Sequence, residues 1–359
     1  MTASSCNAGK ESSRGPHRTC VLQRRRLRRG LLTLALLGAL LAAAVVDLTV
    51  GAAHLSLSDI LPMLWPGSAP GNELYQVVFW SIRLPMTLTA LVVGASLALA
   101  GLLMQTVLAN PLASPYTLGI SAAAGFGAAL SIITGFSLGG ALALGTPLLA
   151  SLMALLACVP IYLLGQRRGM TPQILVLSGI VVLFFFQSLQ SLLLFLASPE
   201  AMQQIVFWLF GSLLKANMHG VAITGGVLFC ALVVSLRLAW RLTALSAGEE
   251  QAQGLGINVS ALRKLAFLLA TLLTAASVSF VGTIGFVGLI APHFARFLVG
   301  EDQRYLICIS ALCGSLLLLC ASIVAKLVLP NGVVPIGIVI ALIGVPVLFY
   351  FVTRQVKRP

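Results

Sequence analysis

Charged side chains are scarce in this sequence. Asp, Glu, Lys and Arg make up only 9% of the 359 residues, whereas soluble proteins average about 25%. Hydrophobic residues account for 59% of the chain, and the mean hydropathy is +1.03. Because so few charges cannot cover a soluble globule of 37.6 kDa, most of the surface must face lipid. The composition therefore predicts an all-α fold, a polytopic membrane helical bundle.

Residue patterns that would support catalysis or cofactor binding are also missing. The seven cysteines show no CxxC or Cys/His ligand spacing, so neither a disulfide framework nor a zinc site is indicated. No paired carboxylates or nucleophile–base set stands out in the apolar runs. We therefore expect a non-catalytic transport subunit with no catalytic, cofactor-binding or metal residues. The sequence also lacks a G-x-x-x-x-G-K-[ST] phosphate loop, so any ATP hydrolysis must occur on a separate chain.

Basic residues are unevenly distributed along the chain. The formal net charge is +13, and eight of the 22 Lys and Arg residues fall within the first 29 positions. A nucleic-acid-binding protein would carry basic stripes on its folded elements, and nothing after residue 30 does so. We interpret residues 1–29 as a basic cytoplasmic tail that obeys the positive-inside rule, and we expect no nucleic-acid partner.

Runs of about 20 apolar residues predict membrane spans. Ten such runs lie within residues 30–356, which we interpret as one ten-span permease domain. They are 30–50, 84–108, 117–134, 141–164, 173–197, 219–240, 264–281, 284–298, 305–325 and 335–353. The segment 202–214 is short and amphipathic, and we expect it to form a helix outside the membrane.

The Lys and Arg residues also indicate the topology. With both termini in the cytoplasm, 19 of the 22 lie on the inner side, and only Arg83, Lys215 and Lys326 lie outside. This bias predicts a multi-pass inner (plasma) membrane protein with cytoplasmic N- and C-termini. Ionisable side chains are nearly absent from the middle of the spans; His293 and Arg296, at the end of the eighth, come nearest. That scarcity favours a transporter whose energy is supplied from outside the membrane.

The second span is bordered by polar and irregular sequence. Arg83-Leu-Pro-Met86 opens it, and Gln105 lies near its other end. The loop that follows, Asn110-Pro-Leu-Ala-Ser-Pro115, contains two prolines that cannot continue a helix. We therefore expect a tight, ordered turn there.

The longest cytoplasmic connection spans about residues 241–263. Ser246 and Glu249 have the spacing of a capping box, and Gly254 and Gly256 follow as helix-ending residues. The pattern predicts a short helix suited to a groove on another protein, with an ordinary solvated loop as the alternative. A third unusual stretch, 282–304, has a glycine turn, a short span and the sequence Pro-His-x-x-Arg.

Taken in order, these motifs resemble the FecCD-type permeases of binding-protein-dependent ABC importers. The matching strings are RLPM, NPLASPYTLG, GEEQAQGLG, GTIGFVGLIAPHFARFLVGEDQR and VPIGIVIALIGVP. The resemblance implies two cytoplasmic ATPase subunits, an extracytoplasmic substrate-binding protein, and a second copy or a paralogous permease as dimer partner. It implies transport of an iron–siderophore or similar metal chelate by ATP-driven alternating access. Haem, cobalamin or another metal or oxyanion are alternative cargoes, and a stand-alone secondary carrier is an alternative class.

The resemblance also implies roles for individual residues. Arg83 and Lys326 correspond to positions that dock the binding protein. The cytoplasmic gate corresponds to Asn110, Leu112 and Thr171. The ATPase coupling loop corresponds to Ser246, Gly248, Glu249, Glu250, Ala252, Leu255 and Gly256.

Three positions depart from the family pattern on the docking side. Met86 replaces the second arginine of the RLPR motif, Ser322 stands where an aspartate is usual, and Val333 replaces a glutamate. Together these changes predict an altered docking face.

Overall fold

The computed structural model describes residues 15–51, 73–136, 144–329 and 332–355, together with the single positions 58, 60 and 62. The first 14 residues of the predicted basic tail lie outside the described residues. The helices in chain order are α1 Gly15–Thr49, α2 Glu73–Val77, a π-helical turn Val78–Arg83, α3 Leu84–Val107, α4 Ile120–Thr134, α5 Gly145–Arg168, α6 Pro172–Leu196, α7 Pro199–Leu209, α8 Met218–Ala247, α9 Glu249–Gly254, α10 Val259–Val281, α11 Val287–Val299, α12 Gln303–Leu327 and α13 Ile336–Gln355.

Each predicted span corresponds to one apolar helix. Seven helical segments of the described chain are long and apolar enough to cross a membrane, and three shorter apolar helices complete the set. The shorter ones are Ile120–Thr134, Val287–Val299 and Ile336–Tyr350. The predicted all-helical membrane bundle is confirmed. The number of crossings and the side on which the termini lie remain predictions.

Local sequence explains most of the helix ends. The side chains of Asn217 and Asn258 accept hydrogen bonds from backbone N–H groups three residues on, at 2.8 and 2.9 Å, which stabilises the first turns of α8 and α10. Gly119 (φ 81°) and Gly135 (φ 63°) bracket α4 in left-handed conformations that favour glycine. The α1 helix begins at Gly15, well before the apolar run, because Arg, Leu and Gln are good helix formers. The amphipathic segment predicted at 202–214 forms α7, which ends before Gly211.

The α3 helix lies in the centre of the bundle and is buried along nearly its whole length. Its glycines allow neighbouring backbones to approach closely. A Cβ added to Gly94 would lie 2.4 Å from the Gly314 carbonyl oxygen of α12, and one on Gly101 would lie 1.9 Å from the Gly288 carbonyl oxygen of α11. This is the small-residue packing expected where no hydrophobic force drives helices together in lipid.

The two ends of α3 have different polar surroundings. At its C-terminal end lie α9, the loops after α3 and α5, and the start of α10. At its N-terminal end lie the C-terminal ends of α1 and α12. We call these the α9 end and the α1 end of the bundle.

Candidate functional site

The short helix α9 lies where the sequence predicts a docking helix. Its N-cap residue is Gly248 (φ 142°), with no side-chain cap. Ser246 instead belongs to the last turn of α8, and its hydroxyl donates to the Thr243 carbonyl at 2.8 Å. The predicted capping box between Ser246 and Glu249 is therefore wrong, because α8 continues to Ala247 and places Ser246 on helical backbone.

One side of α9 is packed against the bundle and the other is open. Ala252 is fully buried, whereas Glu250 is exposed and Leu255 is 62% exposed. Gly256 (φ 76°) turns the chain towards α10. The helix is thus anchored on one side and presents an apolar side chain beside a carboxylate on the other, a combination suited to contact with a protein partner.

Arg263, in the first turns of α10, joins α9 to the rest of this end. Its side chain is 5% exposed, and it donates two hydrogen bonds to the Glu249 carboxylate, Nη1 to Oε1 at 3.1 Å and Nη2 to Oε2 at 2.7 Å. It also donates from Nε to the Val107 carbonyl at 3.1 Å and from Nη1 to the Met170 carbonyl at 3.2 Å. The planar guanidinium therefore contacts three separate chain segments at once.

The two predicted gate segments lie beside these carbonyls. After Val107 the chain turns through Ala109 (φ 47°), and the Asn110 side chain accepts a hydrogen bond from the Leu112 amide at 2.9 Å. This confirms the ordered turn predicted from the two prolines. Thr171 follows Met170 and is the N-cap of α6, accepting from the Ile174 amide at 3.5 Å.

A second polar group lies two residues before Val107, at the same end of α3. Gln105 donates to the Gly288 carbonyl at 3.1 Å and accepts a hydrogen bond from Arg296. Arg296 also pairs with Glu301 at 3.2 Å. These bonds connect α3 to α11 and to the loop that follows α11.

The region where α11 passes into α12 contacts Arg29, in the middle of α1, through charged groups. Arg29 lies 4.3 Å from the centroid of the Tyr305 ring, donates to the Val299 carbonyl at 3.2 Å and approaches Asp302 at 3.8 Å. Hydrogen bonding from the Arg304 side chain is the main reason that the pKa of Asp302 lies below its usual value. The carboxylate therefore stays ionised as a partner for both arginines.

The α1 end contains a buried ion pair that the apolar runs do not predict. Lys326 Nζ lies 2.7 Å from Asp47 Oδ1, and the two side chains are 1% and 0% exposed. Lys326 also donates to the Asp47 carbonyl at 2.8 Å, and Thr87 donates to Asp47 Oδ2 at 2.6 Å. Arg83 is 6% exposed and donates to the Val50 carbonyl. The two residues predicted to dock a binding protein thus face the interior, where they hold α1 against α3 and α12.

The three altered positions at this end do not form an exposed face. Met86 and Ser322 are buried, at 3% and 2% exposure, and Val333 is partly buried against the same apolar cluster. The Ser322 hydroxyl is buried and has no hydrogen-bond partner among the described residues. The carboxylate that neutralises Lys326 is supplied by Asp47 of α1.

A cavity of about 590 Å³ opens near the α1 end. Its polar lining includes Gln203, Gln204, Lys215 and Asn217, and its apolar lining includes Phe207 and Trp208. The mixture can contact a large ligand through both apolar surface and amide groups.

The described residues contain no group of three or more His, Cys, Asp or Glu side chains that could hold a metal ion.

Two residues with central polar contacts, Asp47 and Arg263, were not predicted from the sequence. Asp47 is the only acidic residue inside the ten predicted spans, and that isolation was a usable signal for a buried partner. Nothing in the sequence distinguishes Arg263 from the other Lys and Arg residues predicted to lie in the cytoplasm.

The apolar helices and the close glycine contacts define a polytopic membrane protein, with the short helix α9 at one end. The chain matches the model of the FecCD transport family over residues 30–354, and it therefore belongs to that family of ABC importer permeases.

Similar proteins agree with this assignment. The chain is 34% identical to the Fe(3+)-citrate import system permease of Bacillus subtilis over 86% of this chain and 90% of the relative. It is 36% identical to the molybdate import system permease of Haemophilus influenzae over 89% of this chain and 94% of the relative. Among solved structures, an inward-facing metal-chelate type ABC transporter superposes with a TM-score of 0.80 at 32% identity, over 90% of this chain and 99% of the other.

Proposed function

We propose that this chain is the permease subunit of a binding-protein-dependent ABC importer for a ferric siderophore or a similar metal chelate. The family match across residues 30–354 carries the proposal, and the ferric-citrate relative supports the cargo class. In this proposal the chain catalyses no reaction and binds no cofactor. Cargo crosses by alternating access, driven by ATP hydrolysis on partner subunits.

The proposed assembly pairs the chain with a second copy or a paralogous permease in the inner membrane. Two ATPase subunits bind at the α9 end on the cytoplasmic side, and a binding protein delivers cargo at the α1 end. The strong bias of Lys and Arg supports this orientation, with both termini in the cytoplasm. The open side of α9 supports the ATPase contact, and the ordered turns at Asn110, Leu112 and Thr171 are the proposed gate.

Docking of the binding protein is better placed on exposed residues of the α1 end. Arg83 and Lys326 could contact a partner only after leaving Val50 and Asp47, and separating the buried pair costs several kcal/mol. We therefore propose a structural role for both.

The function can be tested by uptake in a strain that lacks this gene. The panel is ferric siderophores, ferric citrate, cobalamin and molybdate, each radiolabelled, with the cells complemented by the wild-type gene. We expect ATP-dependent uptake of one iron chelate to be lost on deletion and restored by complementation. Loss of molybdate uptake alone would move the cargo to an oxyanion, and undiminished uptake of every compound would refute the proposal.

A stand-alone carrier is distinguished by reconstitution. Liposomes that contain only this chain should show no cargo flux under a proton or sodium gradient, because the described spans offer few ionisable groups to couple an ion. Gradient-driven flux without an ATPase would favour the carrier.

A further inference from the structure

We propose that Arg263 is a positioning residue that couples α9 to both gate segments. The inference rests on the proposed function, because it assigns to this residue the step between the ATPase contact and the gate. The Arg263 guanidinium, at one end of the bundle, is nearly excluded from solvent and yet bonds three separate segments of the chain.

Two acceptors of Arg263 are backbone carbonyls at a helix end and in a connection between helices. Val107 is the last residue of α3, so its carbonyl has no partner within the helix. Met170 is in the connection between α5 and α6, next to Gly169 (φ 90°). Arg263 supplies the donor at both points, and each gate segment begins within three residues of one of these carbonyls.

Glu249 connects the hydrogen bonds of Arg263 to the protein surface. It is the first residue of α9, and its side chain is 44% exposed, whereas that of Arg263 is 5% exposed. The bidentate pair is the strong, directional kind of charge-assisted hydrogen bond. A displacement of α9 by a partner therefore acts on the guanidinium, and through it on the Val107 and Met170 carbonyls.

Lysine cannot reproduce this arrangement. An ammonium is a compact point charge, whereas guanidinium presents donors in a fixed plane towards several acceptors. Arg263→Lys keeps the charge but cannot bond all three segments. Glu249→Gln removes the charge of the partner at a side chain that is only half buried. If Arg263→Lys fails to fold, Glu249→Gln still tests the same contact.

The full transporter, with its ATPase and binding protein, is reconstituted in liposomes, and cargo uptake per ATP hydrolysed is measured. We expect Arg263→Lys and Glu249→Gln each to lower this ratio by about 10-fold, a typical coupling effect. The double variant should be no worse than either single one, because both act through the same contact. Lys264→Gln is the matched control: it removes the neighbouring positive charge on α10 and should leave the ratio unchanged.

Amide hydrogen exchange of the purified permease separates this inference from the proposed function. Glu249→Gln should accelerate exchange in residues 108–117 and 169–171, which are distant from it in sequence, whether or not transport is observed. Wild-type exchange there, or a wild-type ratio of uptake to hydrolysis in both variants, would overturn the role of Arg263. Faster exchange combined with a wild-type transporter that moves no chelate would instead reject the proposed function and keep the structural link.

Discussion

Breaking the buried pair between Asp47 and Lys326 should strongly destabilise the protein. At 2.7 Å, two unit charges attract by about 6 kcal/mol at an effective dielectric constant of about 20, and the cost of removing both ions from water offsets much of this. Substituting one partner removes the attraction and leaves the other charge buried. We therefore expect Lys326→Met or Asp47→Asn to lower the free energy of unfolding by about 3–5 kcal/mol.

Replacing both members of the pair should destabilise the protein far less than replacing either member alone. In Asp47→Leu combined with Lys326→Met no buried charge remains, and we expect a loss below about 2 kcal/mol because paired apolar replacement is often close to neutral. The control on the same helix is Arg304→Gln. Its side chain is 62% exposed in the pair with Asp302, so the loss should stay within about 1 kcal/mol.

The assay is reversible unfolding of the purified protein in mixed micelles by titration with SDS, followed by helical circular dichroism. A loss below about 1 kcal/mol for both single variants would refute the buried pair. It would also restore Lys326 as a candidate contact for the binding protein, since an exposed lysine can be replaced at little cost.

The same unfolding assay tests three further contacts. Gly94→Ala should cost about 1–3 kcal/mol by overpacking, because its new Cβ would lie 2.4 Å from a carbonyl oxygen of α12. Gly226→Ala should be neutral or up to about 1 kcal/mol more stable, because its new Cβ meets no neighbouring helix within 4 Å in the described part of the chain. Equal effects of the two substitutions would contradict the helix contact. Gln105→Leu should cost about 1–3 kcal/mol because Arg296 loses an acceptor in a partly buried site, and wild-type stability would show that this contact is not formed. Arg29→Ala should cost about 1 kcal/mol through the lost contact with an aromatic face, and an unchanged midpoint would argue against that contact.

The helices were largely predictable because their cause is local. Within a bilayer each backbone polar group must find a partner inside its own segment, so a long apolar run becomes a helix. All ten predicted runs correspond to helices, with ends that differ by several residues. The differences arise where polar residues continue a helix, as before position 30 in α1 and beyond position 240 in α8.

Ser246 shows where the local signal failed. A serine three residues before a glutamate fits a capping box, but the same serine also fits the last turn of a preceding helix. The extension of α8 to Ala247 decided between the two, and Gly248 became the cap.

The sequence by itself determined the class of protein, the positions of the helices and the family, because hydropathy and ordered motifs are properties of short segments. Only the tertiary structure decided the partners of the polar side chains. Asp47 and Lys326 are 279 positions apart, and Arg263 is 156 positions from Val107. Which charges meet is set by how distant helices pack, and a buried charge is tolerated only where that packing brings it an acceptor or a counter-ion.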